Sequence, residues 1–163
     1  MSDQKFHSIG IPQFGPGRTR PFDPYARDVG RMVETDDLND MYKFKTPALR
    51  NVSLTAPYGH NGAYPTLKGI IKQHLDPTKM NKNWKPAYAN LPNAPWLEQI
   101  DFVTFSDKRE QDRIISSIDI KPIDLSDKEI YQLVLFLESL TGKSGNQRPL
   151  GKPIKVPSGL TID

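Results

Sequence analysis

Three histidines, His7, His60 and His74, are the side chains best suited to ligate a metal or move a proton near neutral pH. No cysteine accompanies them, which removes thiolate metal sites, disulfides and thioether attachment of haem within these residues. The three lie far apart in sequence, without HExxH spacing or the neighbouring carboxylates of a zinc centre. There is no GxSxG nucleophile elbow and no glycine-rich phosphate loop. Chemistry here rests on single histidines and on what the fold brings beside them.

His74 follows Leu67, Ile70 and Ile71, which fall at i, i+3 and i+4, and it is the next member of that series. The spacing predicts a helix from Thr66 to about Leu75, stopped by Asp76-Pro77, with the imidazole on its buried stripe. Such a histidine is either a satisfied core residue or a ligand. His60 lies between Gly59 and Asn61-Gly62, a turn-forming set. It either bonds its own loop or is held close to a cofactor or a domain boundary.

The elements that must position these residues belong to a chain of 163 residues with 15 prolines, 11 glycines and 36% hydrophobic residues. With a mean hydropathy of -0.58 this reads as one loop-rich domain with a thin core. Residues 1–43 show no sustained period and read as an ordered loop. Phe6, Ile9, Ile11, Phe14, Phe22 and Tyr25 make it too apolar for a disordered linker. Thr46-Pro47 predicts an N-cap and first residue of a short helical turn through Leu49 and Arg50, after which Ser53 to Asn61 returns to loop. Residues 76–104 read as a second irregular stretch anchored by Trp84 and Trp96, and a helix is expected from Asp107 to about Ile118. Ser126 and Glu129 form a capping box for a last helix striped by Ile130, Leu133, Val134, Leu137 and Leu140 and closed by Gly142. Residues 143–163 read as a tail that packs. No repeat and no alternating strand pair is evident.

The 22 basic residues are interleaved with 19 acidic ones, so the net charge is only +3. The clustered stripe of a nucleic-acid binder is missing. The basic excess after Thr141, in Lys143, Arg148, Lys152 and Lys155, is a solvated tail or a docking surface for an acidic partner. No segment approaches the ~18 apolar residues of a membrane span. The opening MSDQKFHSIGIP lacks the charged and then apolar run of a signal peptide.

The run FKTPALRNVSLTAPYGHNGAYPTL, residues 44–67, resembles the C-terminal domain of the bacterial di-haem cytochrome c peroxidase family, which includes the MauG-like enzymes. The family pattern there is close to F-K-T-P-x-L-R-N-V, then T-x-P-Y-x-H-(D or N)-G, then T-L. QKFHSIGIP, DVGR, LSDKEIYQLVLFLESLTG and KVPSGLTID resemble further family segments, so the likeness spans nearly the whole chain. It implies a mainly α, loop-rich, incomplete cytochrome c-like domain over 1–163. Within it lie a loop at 1–43, the signature loop and ligand helix at 44–75, an irregular loop at 76–104, helices at 105–142 and a packing tail at 143–163. It also implies a chain that begins just after a CxxCH haem motif, with the haem c attachment elsewhere and an N-terminal haem domain as missing partner.

By this resemblance His74 is the distal ligand to the iron of the electron-transferring haem, where the peroxidases carry Met and the MauG-like enzymes Tyr. Imidazole in place of a thioether lowers the reduction potential. Thr55 and Pro57 correspond to main-chain calcium ligands, with a plain rigid turn as the alternative. Arg50 and Lys45 correspond to partners of haem propionates, with an ordinary surface charge as the alternative for Lys45. His60 completes the implied cofactor-binding set. The implied parent is a periplasmic peroxidase that reduces hydrogen peroxide to water, with electrons from a small c-type cytochrome or cupredoxin, and a homodimer is an expected assembly. No catalytic residue falls in this portion, which is expected to be inactive alone. The alternatives are a MauG-like oxidase of protein side chains and a non-catalytic remnant that holds no haem.

Overall fold

The computed structural model describes residues 2–15, 27–91, 95 and 98–143. Its first elements are a short strand β1 (Phe6–His7), one helical turn α1 (Met32–Thr35) and a second strand β2 (Phe44–Lys45). β1 and β2 pair antiparallel, Phe6 opposite Lys45 and His7 opposite Phe44. The sequence signals no such pair, because two residues per strand are too few for alternation to be read. Thr46 continues this contact, its N–H donating to Lys5 O and its carbonyl accepting from Ser2 Oγ. That engagement, with the extended bias of a residue before proline, removes the helical turn expected from Thr46-Pro47. A 3-10 turn forms later, at Val52–Leu54.

The helix expected from Thr66 is α2 (Leu67–Leu75), and Thr66 caps it by accepting from Gly69 N. Asp76-Pro77 does stop α2, yet it also starts α3 (Pro77–Asn83): the Asp76 side chain accepts from Lys79 N and proline occupies the first turn. An Asp-Pro pair ends one helix because Pro disfavours a helical residue before it, and opens another because Pro at N1 loses no hydrogen bond. The stretch expected to be irregular therefore holds α3, a 3-10 turn at Pro86–Tyr88, α4 (Glu98–Asp101) and α5 (Val103–Ser106). Then come α6 (Lys108–Ser116), capped by Asp107, and α7 (Asp127–Ser139), opened by the expected Ser126/Glu129 capping box. The described chain is mainly helical.

α7 ends at Ser139 with Leu140 as its cap, two residues before Gly142, whose N–H instead donates to Asn51 Oδ1 at 2.8 Å. Gly142 is thus a tether to the signature loop. Phe22, Tyr25, Trp96 and the tail from residue 144 lie outside the described residues.

Apolar burial explains the arrangement. The stripes of α2 (Leu67, Ile71) and α7 (Ile130, Leu137) meet Tyr58, Ala63, Tyr64 and Trp84 in one core, and Ile11 and Phe14 of the N-terminal segment close it. Phe14 stacks on Trp84 with centroids 5.3 Å apart, and Phe105 meets the indole edge at 5.0 Å. A smaller core joins Val29, Tyr42 and Ile114. An irregular segment across a core must satisfy its backbone carbonyls, and two buried amides do so. Gln73 donates to Ile9 O and Gly10 O, and Asn81 donates to Gly10 O at 2.9 Å.

Candidate functional site

α2 carries His74, and its local geometry decides what the imidazole can do. Leu67, Ile71 and Gln73 are buried, while Ile70 and Leu75 are half-buried. His74 lies nearly in line with Leu67 and one turn on from Ile70, so its place on the apolar stripe is as the spacing requires. It is nevertheless exposed, which corrects the expected burial. The stripe is covered by α3 and α7 along most of its length. The segment at Ile123 meets the end of α2, its N–H donating to Leu75 O at 2.8 Å, and Ile123 itself is 61% exposed.

The His74 ring is anchored at one nitrogen. Nδ1 lies 2.9 Å from Ile70 O. Among the described residues no hydrogen bond or ion pair engages Nε2. Beside it, fully buried Gln73 accepts from the Tyr64 hydroxyl while holding the N-terminal segment, and burial pushes the Tyr64 phenol well above its ordinary pKa. Gln73 is missing from the predicted site set; the one signal for it is a glutamine flanking an apolar helical stripe.

His60 occupies the expected turn. Gly59 and Gly62 sit at φ 89° and 75°, where a Cβ would be strained, and Gly62 N donates to Gly59 O. The imidazole stacks face to face on Phe44, centroids 3.6 Å apart and planes 7° apart. Its side chain is 15% exposed, although the backbone beneath it is open to solvent. Burial lowers its pKa to about 4, opposed by Asp28, whose Oδ2 lies 3.8 Å from Nε2. His60 is therefore neutral at neutral pH. Asp28 is fixed by Gln13, which accepts from Asp28 N and donates to Asp28 O. Asn61 donates to Pro12 O at 2.7 Å, and among the described residues its buried Oδ1 has no partner.

Lys45 is exposed on β2, next to the Phe44 ring that covers His60. Arg50 is exposed near the tethered end of α7, beside Gly142. Thr55 and Pro57 are exposed on the signature loop, and among the described residues neither carbonyl accepts a hydrogen bond. Of these residues only Phe44, the strand neighbour of Lys45, touches His60; successive strand side chains point to opposite faces, so Lys45 leaves on the other side. Among the described residues no hydrogen bond, ion pair or ring contact joins His74 to His60, Lys45 or Arg50.

A separate polar centre lies in the small core. Glu110 is fully buried, accepting from Tyr42 OH at 2.5 Å and pairing with Arg27 at 3.3 Å and Arg113 at 3.2 Å. Burial, reinforced by the Glu110 carboxylate, drives the Tyr42 phenol far above its ordinary pKa. An open hollow of about 550 Å³ next to it is lined by Tyr42, Lys43, Asp112, Arg113 and Asp119 among others, and none of the expected site residues borders it.

No family model matches the chain. It is similar to the cytochrome-c peroxidase IdrP1 of Denitromonas iodatirespirans, 34% identical over 159 residues that cover 86% of this chain and 34% of that protein. It is also similar to the methylamine utilization protein MauG of Paracoccus denitrificans, 34% identical over 144 residues that cover 85% of this chain and 34% of the relative. Among solved structures it resembles that of a MauG-like protein associated with microbial copper homeostasis, with a TM-score of 0.55 and 25% identity, covering 93% of this chain and 39% of that one. The chain spans only about a third of the two curated relatives. The segments that first suggested the resemblance, the helical architecture and these alignments agree, and the chain belongs to the di-haem cytochrome c peroxidase and MauG-like family.

Proposed function

We propose that this chain lines a c-type haem within a cytochrome c-like fold, and that Nε2 of His74 is the distal ligand of its iron. The observation that carries the reading is the placement of His74: on the apolar stripe of α2, exposed, with one ring nitrogen anchored and the other without a partner among the described residues. An imidazole nitrogen with a free lone pair has the chemistry that ligation of haem iron demands. The chain has no cysteine, so thioether attachment would come from outside these 163 residues.

A haem held there supplies one-electron transfer. His74 would hold that group through Nε2. In this reading the Arg50 fork and the Lys45 ammonium, both exposed, would meet propionate carboxylates. His60, neutral and stacked on Phe44, rigidifies that segment without adding a charge. The carbonyls of Thr55 and Pro57 suit calcium at a boundary with a second haem domain.

In this reading the parent enzyme is a periplasmic peroxidase that reduces hydrogen peroxide to water, fed by a small c-type cytochrome or cupredoxin. MauG among the relatives and the MauG-like structural neighbour support a second reading, oxidation of protein side chains. Peroxide consumption coupled to oxidation of a reduced cytochrome or cupredoxin favours the first, and peroxide-driven modification of a protein substrate without such a donor favours the second.

Titration of ferric haem into the chain tests the ligand assignment. The Soret band is expected to shift with the wild type and to lose that shift in His74→Ala. A shift that survives the substitution, or none with the wild type, overturns it.

A further inference from the structure

A carbonyl oxygen can only accept a hydrogen bond, so at 2.9 Å from Ile70 O the Nδ1 atom of His74 must carry the ring proton. We infer that the Ile70 carbonyl is the positioning group of this site: it selects the Nδ1–H tautomer and leaves the lone pair of Nε2 as the only ring donor for a metal. The inference rests on the reading of His74 as an axial ligand and deepens it, because it names the atom that binds and the group that chooses it.

The geometry follows from the helix. Side chains on α2 lean toward its N-terminus, so the ring at position 74 lies back over the preceding turn and meets the carbonyl four residues earlier. A carbonyl has two lone pairs, so Ile70 O can serve the helix ladder and the imidazole together. Neighbouring packing fixes the carbonyl in turn: Leu67 and Ile71 are in the core, and the adjacent Gln73, fully buried, ties the same turn to Ile9, Gly10 and Tyr64. His74 is thus a mobile type of side chain on an immobile base, held at one nitrogen. A hydrogen bond donated by Nδ1–H also raises the basicity of Nε2 and fixes the ring plane, which is how outer partners tune a ligating histidine. Neither a thioether nor a phenol at this position has the second ring nitrogen that the carbonyl engages.

The test reads the tautomer directly on the unmodified chain. A long-range proton–nitrogen correlation spectrum of the nitrogen-15-labelled protein, recorded above the titration range of histidine, resolves only three imidazoles. The His74 signals are assigned by their loss in His74→Gln, a change at an exposed position. The expected result is a protonated Nδ1 and an unprotonated Nε2. A protonated Nε2, or two nitrogens averaged as in a free imidazole, overturns the role of Ile70 while leaving ligation intact. A haem titration indifferent to His74 overturns the ligand reading and the positioning role with it.

Discussion

His60 shows how a single residue links burial to pH. Its folded pKa of about 4 lies below the ordinary histidine value near 6.5, so the unfolded chain takes up the proton first. The stabilisation of the neutral ring is complete above about pH 6.5 and is lost as pH falls toward 4, a swing of roughly 3 kcal/mol at most for one group. Urea unfolding at neutral pH and near pH 4.5 should show this loss in the wild type and a shallower pH dependence in His60→Gln; parallel slopes would contradict the buried neutral ring. Glu110 makes the complementary case, a charge held inside by Arg27, Arg113 and Tyr42. Glu110→Ala leaves the Tyr42 hydroxyl, on a side chain 3% exposed, without its acceptor. Since both arginines reach solvent, the expected cost is about 2–3 kcal/mol, below that of a wholly buried pair. A denaturation midpoint unchanged from wild type would show that the centre is not structural.

At the scale of the element, α2 separates structural from functional positions along one stripe. Ile71→Ala, at a core position, should cost about 2–4 kcal/mol. His74→Ala, three residues on, should change stability by no more than about 0.5 kcal/mol, because its ring touches solvent rather than core. Thermal or urea melts of the two variants compare them directly, and a large loss in His74→Ala would make it a core residue after all. α7 depends on its first turn: the Ser126 hydroxyl accepts from Glu129 N while Glu129 accepts from Ser126 N. Ser126→Ala should cost about 1 kcal/mol, read as a lowered urea midpoint. That box was legible because a capping box is a local signal, four residues long. α3 was not, because the same Asp-Pro pair that breaks a helix also begins one, and which outcome prevails depends on where the following turn packs. Here Pro77 and Asn81 are buried, and Asn81 bonds the N-terminal segment at Gly10 O.

At the scale of the molecule, the core is assembled from segments distant in sequence: Phe14, Tyr64, Ile71, Trp84 and Leu137 share one cluster. Trp84 joins them through Phe14, Phe102, Phe105 and a bond from Nε1 to Ala63 O at 2.9 Å. Trp84→Ala should therefore destabilise the chain as a whole, by about 3–5 kcal/mol, with near- and far-ultraviolet circular dichroism lost together. Separate transitions would mean that the N-terminal segment and the helices are independent. The sequence by itself determined the helical class, the family through its long signature, the boundaries of α2, α6 and α7 to within about two residues, and the membership of His74 in an apolar stripe. These are properties of periodicity, caps and ordered motifs, which are local. Tertiary structure alone decided that His74 is open to solvent, that Gln73 and Asn81 satisfy the carbonyls of the N-terminal segment, that Glu110 is buried between two arginines, and that Phe44 covers His60. Each of those depends on which distant segment lies across a side chain, and neither residue type nor spacing carries that information.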